Sequence, residues 1–167
     1  AELNLPKEGT IWDIGSGVGS IGLEALRIAP NLKLVSVDKR IGSKNIIQEN
    51  AKRLGVNPSS VIEDEILNVL NTDQINEELL NPDRVVIGGG GLNLNSIIEK
   101  VMKRINRKGI LVIPLISLQS LSKIETFIRP KVSKLSIGQN QSYRGVSIGN
   151  DLRLSPLNPV FILKCEL

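Results

Sequence analysis

A short apolar run, Thr10–Ile14, breaks into glycines at positions 15, 17 and 19, and an amphipathic segment begins at Ser20. A strand that ends on a tight glycine turn and feeds a helix is the opening unit of a parallel α/β sheet. The same alternation recurs along the chain. The first helix should run from Ser20 and stop before Pro30, with Ile21, Ala25 and Ile28 on one face. Leu32–Val37 reads as a second strand closed by Asp38, and Gly42–Leu54 as a helix stacking Ile47, Ala51 and Leu54, with Gly55 placed to cap it. A shorter strand follows near Val61 and Ile62, and Glu65–Leu80 is helical only in parts.

Beyond it, Arg84–Ile87 is a fourth strand that opens into four consecutive glycines, Gly88, Gly89, Gly90 and Gly91. The next helix sets Leu94, Ile98, Val101 and Ile105 on one stripe, and Gly109 ends its turn. Ile110–Ile113 is a fifth strand, Ser117 caps a helix running to about Ile128, and Val132–Ile137 is a sixth strand. Gly138–Asn150 reads as a polar loop before the last strand, Val160–Cys165. Seven strands alternating with helices predict an α/β fold: a mostly parallel, Rossmann-like sheet covered by helices on both faces, formed by a single domain. Right-handed crossovers bring Asp13, Gly15, Asp38, Asp64 and Gly88 to one edge, outside the carboxyl ends of the strands, where such sheets bind ligands.

Composition narrows the chemistry available at that edge. The 167 residues contain no histidine and a single cysteine, Cys165. Histidine-based triads, His/Cys metal sites and disulfide frameworks are thereby excluded, and no metal is expected. The lack of disulfides fits a cytoplasmic setting. The longest apolar stretch, Ile110–Ile116, contains Pro114 and falls far short of the ~20 residues that span a bilayer, so no membrane partner is expected. Charge is divided: residues 1–100 carry 10 Lys/Arg against 14 Asp/Glu, and residues 101–167 carry 11 against 3. A basic second half suits either a solvated surface or an anionic ligand. Aromatics make up only 2%, poor material for stacking nucleic-acid bases.

The glycine run itself invites two readings, because Gly17-Val18-Gly19-Ser20-Ile21-Gly22 also has the glycine spacing of a dinucleotide-binding turn. In that fold the glycines follow the strand directly and present a helix N-terminus to a pyrophosphate. Here the carboxylate of Asp13 closes the strand, which repels a diphosphate and favours a cationic ligand such as the ammonium group of S-adenosylmethionine. Gly15, Ser16, Gly17, Val18 and Gly19 would press bare backbone against that cofactor. Asp38 would accept bonds from the ribose hydroxyls, and Asp64 with Glu65 would receive the adenine amino group. A class I S-adenosylmethionine-dependent methyltransferase is the reading that unites this set.

Three stretches then carry a resemblance: Trp12-Asp13-Ile14-Gly15-Ser16-Gly17-Val18-Gly19, Asp83-Arg84-Val85-Val86-Ile87 with the four glycines behind it, and Asn158-Pro159-Val160-Phe161-Ile162. Together they resemble the decarboxylating precorrin methyltransferases over nearly the whole chain. The resemblance implies methylation of carbon 15 of a corrin precursor in cobalamin biosynthesis, with loss of the ring C acetate carboxyl. In many bacteria the domain forms the C-terminal part of a bifunctional precorrin-6Y C5,15-methyltransferase. That implies a tetrapyrrole substrate, a possible homo-oligomer (tetramer), or fusion with a carbon-5 methyltransferase domain.

The chain also departs from the family. It opens at Ala1 without the Thr-Lys segment with which the family usually begins, as expected of a trimmed domain or a piece of a fusion. The family's Gly-Asp-Ala after strand three is Glu63-Asp64-Glu65 here, and its Asn-Ala-x-Thr-Leu-Glu run after strand five is Pro114-Leu115-Ile116-Ser117-Leu118-Gln119. Ser117 and Gln119 keep the hydroxyl and amide character, and they join Gly88–Gly91 and Arg144 as candidate contacts to a polycarboxylate substrate. Methyl transfer to an electron-rich carbon needs in-line approach and exclusion of water rather than a strong base, so the missing histidine is no obstacle. Ser117, Tyr143 and water all remain open as the proton donor after decarboxylation.

A nucleic-acid methyltransferase is the rival enzyme, given a pI near 9.3. Its Asn/Asp-Pro-Pro-aromatic segment would stand where Gly88–Gly91 stand, and Asn81-Pro82 lies on the opposite edge. No Lys-Asp-Lys-Glu arrangement for ribose methylation is evident. A module that binds the cofactor without turnover, or a nucleotide-binding regulatory domain, is the non-enzymatic alternative.

Overall fold

The computed structural model describes residues 2–72 and 74–167. Nine strands appear in chain order: β1 (Glu8–Ile14), β2 (Asn31–Asp38), β3 (Ser60–Glu63), β4 (Arg84–Ile87), β5 (Ile110–Leu115), β6 (Lys134–Asn140), β7 (Tyr143–Ile148), β8 (Asp151–Pro156) and β9 (Val160–Glu166). The helices are α1 (Ser20–Ile28), α2 (Ser43–Leu54), α3 (Ile66–Val69), α4 (Leu94–Met102) and α5 (Leu118–Ile128). Seven strands form one sheet in the order β3-β2-β1-β4-β5-β9-β6. Every pairing is parallel except those of β9, which runs antiparallel to both β5 and β6. The expected mostly parallel sheet is therefore present, and its strand order reverses between β1 and β4.

Strand β1 is central and buried on both sides, which is why Thr10–Ile14 reads as a continuous apolar run rather than an alternating one. Trp12 and Ile14 face one way, into a core with Val35, Val37, Val85, Ile97 and Ile98. The Trp12 indole N–H donates to Leu79 O at 2.8 Å, so the polar end of the largest buried side chain is satisfied. Ile11 faces the other way, into a core with Leu23, Leu26, Leu34 and Ile47 from α1, β2 and α2. Because side chains alternate along a strand, Asp13 shares the Ile11 face.

Two expectations are corrected. Helix α1 buries Gly22, Leu23, Ala25 and Leu26, while Ile21 and Ile28 are exposed. Five of its nine residues are large or small aliphatics spread round the helix, so the apolar stripe alone did not fix its rotation. The segment Gly138–Asn150 is not a loop: β6 extends to Asn140, and β7 and β8 form a hairpin through Gly149 and Asn150. Gly149 takes φ 60, the conformation that a two-residue hairpin turn demands of its first position. The hairpin leaves the sheet where Asn140 pairs with Val160, at the carboxyl end of β5.

Caps read from the sequence are in place. Gly55 ends α2 at φ 67, and the Ser117 hydroxyl accepts the Ser120 N–H at 3.3 Å to open α5. Among the described residues no helix is long and apolar enough to cross a membrane.

Candidate functional site

A cavity of about 300 Å³ opens at the carboxyl ends of β1, β2, β3 and β4, across the point where strand order reverses. Asp38, Lys39 and Arg40 line one end with Asp64, Glu65 and Ile66, and Gly88, Gly89 and Gly90 line the other. Gly15 lies between them, and Ile14, Val37 and Ile97 supply apolar floor and wall.

The two glycine turns are built against each other. Gly15 N–H donates to Val37 O, and Gly88 N–H donates to Ile14 O, both at 2.8 Å. A Cβ at Gly15 would stand 3.2 Å from Gly89 N, and one at Gly88 would stand 3.0 Å from Gly15 O. Gly15 also holds φ 70, so side chains are excluded there on both grounds. At Gly89, by contrast, a Cβ would meet nothing within 4 Å. The β4 glycine run is thus anchored at Gly88 and open at Gly89.

Asp38 sits at the rim of the cavity with a crowded carboxylate. One oxygen accepts the Gly17 N–H at 2.7 Å, and the other accepts the Arg40 backbone N–H at 2.9 Å and its Nε at 3.0 Å. Burial pushes the Asp38 carboxyl up, but the bonds from the Arg40 side chain, the Arg40 backbone and Gly17 outweigh it and hold it below the usual carboxylate range. The pairing raises the Arg40 guanidinium in turn. At the same end of the cavity Asp64 is engaged by its own loop: it accepts bonds from the Gln74 and Asn68 amides and the Glu65 N–H, which lower its pKa in that order. The Glu65 carboxylate pairs with Lys39 at 3.2 Å.

Asp13 does not line the cavity. It is buried beneath the glycine turn, where it accepts the Gly22 N–H at 2.9 Å and ties the first turn of α1 to β1. Gly22 is required for that closeness, since a Cβ there would stand 2.8 Å from Leu34 and 3.0 Å from the Asp13 carboxylate. Desolvation pushes the Asp13 carboxyl up to about 6, against the lowering by the Gly22 bond, and the neighbouring charge of Asp38 adds to the rise. Its register partner on β2, Ser36, is fully buried with a hydroxyl that finds no hydrogen-bond partner among the described residues.

Of the cofactor residues expected from sequence, Gly15, Asp38, Asp64 and Glu65 meet in the cavity. Ser16, Gly17, Val18 and Gly19 form the turn beside it: Ser16 N–H donates to Val37 O, Val18 O accepts from Asn50, and Gly19 opens α1 at φ 83. Of the substrate residues, Gly88, Gly89 and Gly90 line the cavity, and Gly91 begins a short 3₁₀ turn. Ser117 donates to the Gln119 side-chain oxygen at 3.0 Å while capping α5. Arg144 is exposed on β7, opposite Ser155 on the hairpin and outside the cavity lining. Sequence reasoning missed Lys39 and Arg40; their signal was adjacency to a strand-terminal acid, which places cations within reach of it.

A family model described as precorrin methyltransferase domain matches residues 1–166. The probable cobalt-precorrin-6B C(15)-methyltransferase (decarboxylating) of Pyrobaculum aerophilum is 32% identical over 165 residues, covering 98% of this chain and 81% of that protein. Among solved structures, the precorrin-6Y C5,15-methyltransferase of Geobacter metallireducens superposes with a TM-score of 0.84 at 23% identity, covering 99% of this chain and 84% of the other. A SAM-dependent O-methyltransferase of Thermotoga maritima shares the fold at a TM-score of 0.75 and 11% identity, covering 98% and 61%.

Proposed function

Because the chain belongs to the precorrin methyltransferase domain family, we propose that it methylates carbon 15 of a precorrin with loss of the ring C acetate carboxyl, using S-adenosylmethionine. The observation that carries this reading is that one cavity joins a strand-terminal acid, Asp38, to the bare backbone of Gly88–Gly90. The first end suits an adenosine and the second a ligand that must approach main chain closely.

The residues present fit the cofactor. Asp38 would hold the ribose hydroxyls once Arg40 yields part of the carboxylate, and Asp64 with Glu65 would receive the adenine amino group. The turn from Gly15 to Gly19 would present bare main chain to the amino-acid portion. Asp13 contributes a negative charge from beneath the turn that favours an ammonium over a diphosphate, without touching the ligand. When bound, S-adenosylmethionine supplies an electrophilic methyl on a positively charged sulfur. Ile14 and Ile97 would screen the reacting centre from water, so that alignment and desolvation carry the rate. Electrons released by decarboxylation pass into the conjugated ring of the substrate.

Self-association belongs to the same proposal. The β7–β8 hairpin is a two-stranded ribbon with both outer edges unpaired, and Tyr143, Leu152 and Leu154 are exposed on one face of it. Such a ribbon is marginal alone, and a second copy would cover both the edge and the apolar face. Sedimentation of Leu152→Ser/Leu154→Ser against the parent chain tests this; identical coefficients refute it.

The catalytic reading is tested by incubating the chain with a precorrin and methyl-labelled donor. Labelled tetrapyrrole and carbon dioxide in equal amounts are expected. Methylated product with the acetate carboxyl retained, or no product under conditions where the donor binds, refutes it.

A further inference from the structure

The most solvent-exposed aliphatic side chains are not scattered. Of the seven most exposed among the described residues, Leu152 and Leu154 ride on the hairpin and Ile28 ends α1, while the other four stand at the carboxyl edge of the sheet, in the segments that directly follow β2, β4 and β5. Ile41 follows β2 on the adenosine side. Leu92, Ile116 and Leu118 follow the adjacent strands β4 and β5, on the other side of the point where strand order reverses. Leu92 is 105% exposed, Ile116 76% and Leu118 63%. Leu92 comes directly after the four glycines, three of which line the cavity. Ile116 and Leu118 flank Ser117, whose own hydroxyl is taken up by the α5 cap and by Gln119.

We infer that Leu92, Ile116 and Leu118 form an apolar shelf, continuous with the mouth of the cavity, on which the flat face of a carboxylate-bearing tetrapyrrole lies. The inference rests on the proposed function and names how this chain holds that substrate. A large conjugated ring offers an apolar face and a charged rim. The shelf meets the face, and the open backbone at Gly89 lies at its border. A polynucleotide would find aliphatic side chains here where it needs stacking aromatics and cations. The shelf lies beside β4 and β5, whereas the acids suited to adenosine close β2 and β3. The two ligands would therefore meet over Gly15 and Gly88, where the strand order turns.

Leu92→Ser and Ile116→Ser test this, and because both side chains are exposed the fold should tolerate them. Each is expected to raise KM for the precorrin about tenfold, the effect of withdrawing one aliphatic side chain from a buried contact. Turnover number and S-adenosylhomocysteine affinity should be unchanged. Uroporphyrin I, a cyclic tetrapyrrole with eight carboxylates, serves as a direct probe through the shift of its absorption band on binding, and its affinity should fall in parallel. If the parent chain makes no product yet binds uroporphyrin and Leu92→Ser weakens it, the proposed function fails and the shelf stands. If the parent chain turns over and neither KM nor uroporphyrin affinity moves, the shelf is refuted and the function stands. A smaller sedimentation coefficient for Leu92→Ser with tetrapyrrole affinity intact makes the rim an interface between copies and also refutes the shelf. Absence of both turnover and uroporphyrin binding in the parent chain sinks both.

Discussion

Replacing Asp13 by Asn separates what the buried carboxylate does for the fold from what it does for the cofactor. In the folded chain Asp13 titrates at about 6 against a reference of 3.8, because burial strips its hydration. Between those values the folded state holds a proton that the unfolded state has released. Stability must therefore fall as pH rises through about 4 to 6, and the full penalty persists above that window. The shift of roughly two units corresponds to about 3 kcal/mol at pH 7.5, and to about 1 kcal/mol at pH 4.5 where linkage is incomplete. Asparagine keeps an oxygen for the Gly22 N–H and brings an amide N–H2 to the face where the Ser36 hydroxyl has no partner among the described residues. Asp13→Asn should thus stabilise the chain by up to about 3 kcal/mol at pH 7.5, or roughly 6–12 °C in Tm for a domain of this size. The advantage should shrink by about 2 kcal/mol at pH 4.5. Urea unfolding followed by the fluorescence of Trp12, the only tryptophan and one residue away in the core, measures both values with a check that the m-value is unchanged. The same variant should bind S-adenosylhomocysteine more weakly, since the negative charge beneath the turn is gone. A pH-independent difference between variant and parent, or a variant less stable at pH 7.5, would refute the assignment of a costly buried charge. Unchanged cofactor affinity would refute its electrostatic role.

Other perturbations divide the cavity by function. Asp38→Ala should weaken S-adenosylhomocysteine binding by roughly one to two orders of magnitude in calorimetry, the worth of hydrogen bonds to a charged acceptor; unchanged affinity removes Asp38 from the ribose. Gly89→Val, at a position with open space around its Cβ, should leave cofactor binding and Tm intact while lowering tetrapyrrole turnover, and equal damage to both would deny the β4 glycines a substrate role. Gly15→Ala meets Gly89 N at 3.2 Å with φ 70, so it should cost about 1–3 kcal/mol and impair both ligands; a melting temperature equal to the parent's contradicts the close approach. Cys165 is buried and its thiol is pushed up to about 12, so a thiol reagent should label it only as the chain unfolds; rapid labelling of the native chain contradicts its position in the core.

The sheet and the edge carrying the site were legible because parallel strands buried on both faces announce themselves as apolar runs, and their acids and glycines fall at strand ends. What pattern could not supply was the phase of short elements and the direction of individual side chains. Helix α1 sets Ser20, Glu24 and Arg27 on one face, and its apolar arc is wide enough that Ile21 and Ile28, which flank that face, are exposed while Leu23 and Leu26 are buried. The hairpin was hidden because neither β7 nor β8 has a buried face to impose alternation; its one local signal was the Gly149-Asn150 turn. Ser117, expected both as a helix cap and, from the resemblance, as a substrate contact, and Asp64, expected at the adenine amino group, each also bond to their own loop, as short polar side chains beside a helix start do. Asp13 is the more instructive case. Its position after a strand suggested a carboxylate aimed into the turn, but two-residue periodicity puts it on the Ile11 side with Leu23 and Leu34, under α1. Asp38 has the same kind of side chain on the same face of the sheet. It reaches the rim because β2 ends there, and the next turn returns Arg40 to it. The difference between a buried charge and a ligand-facing one in this fold is therefore where the strand ends relative to the helix that covers it, and not the residue type or its spacing from the glycines.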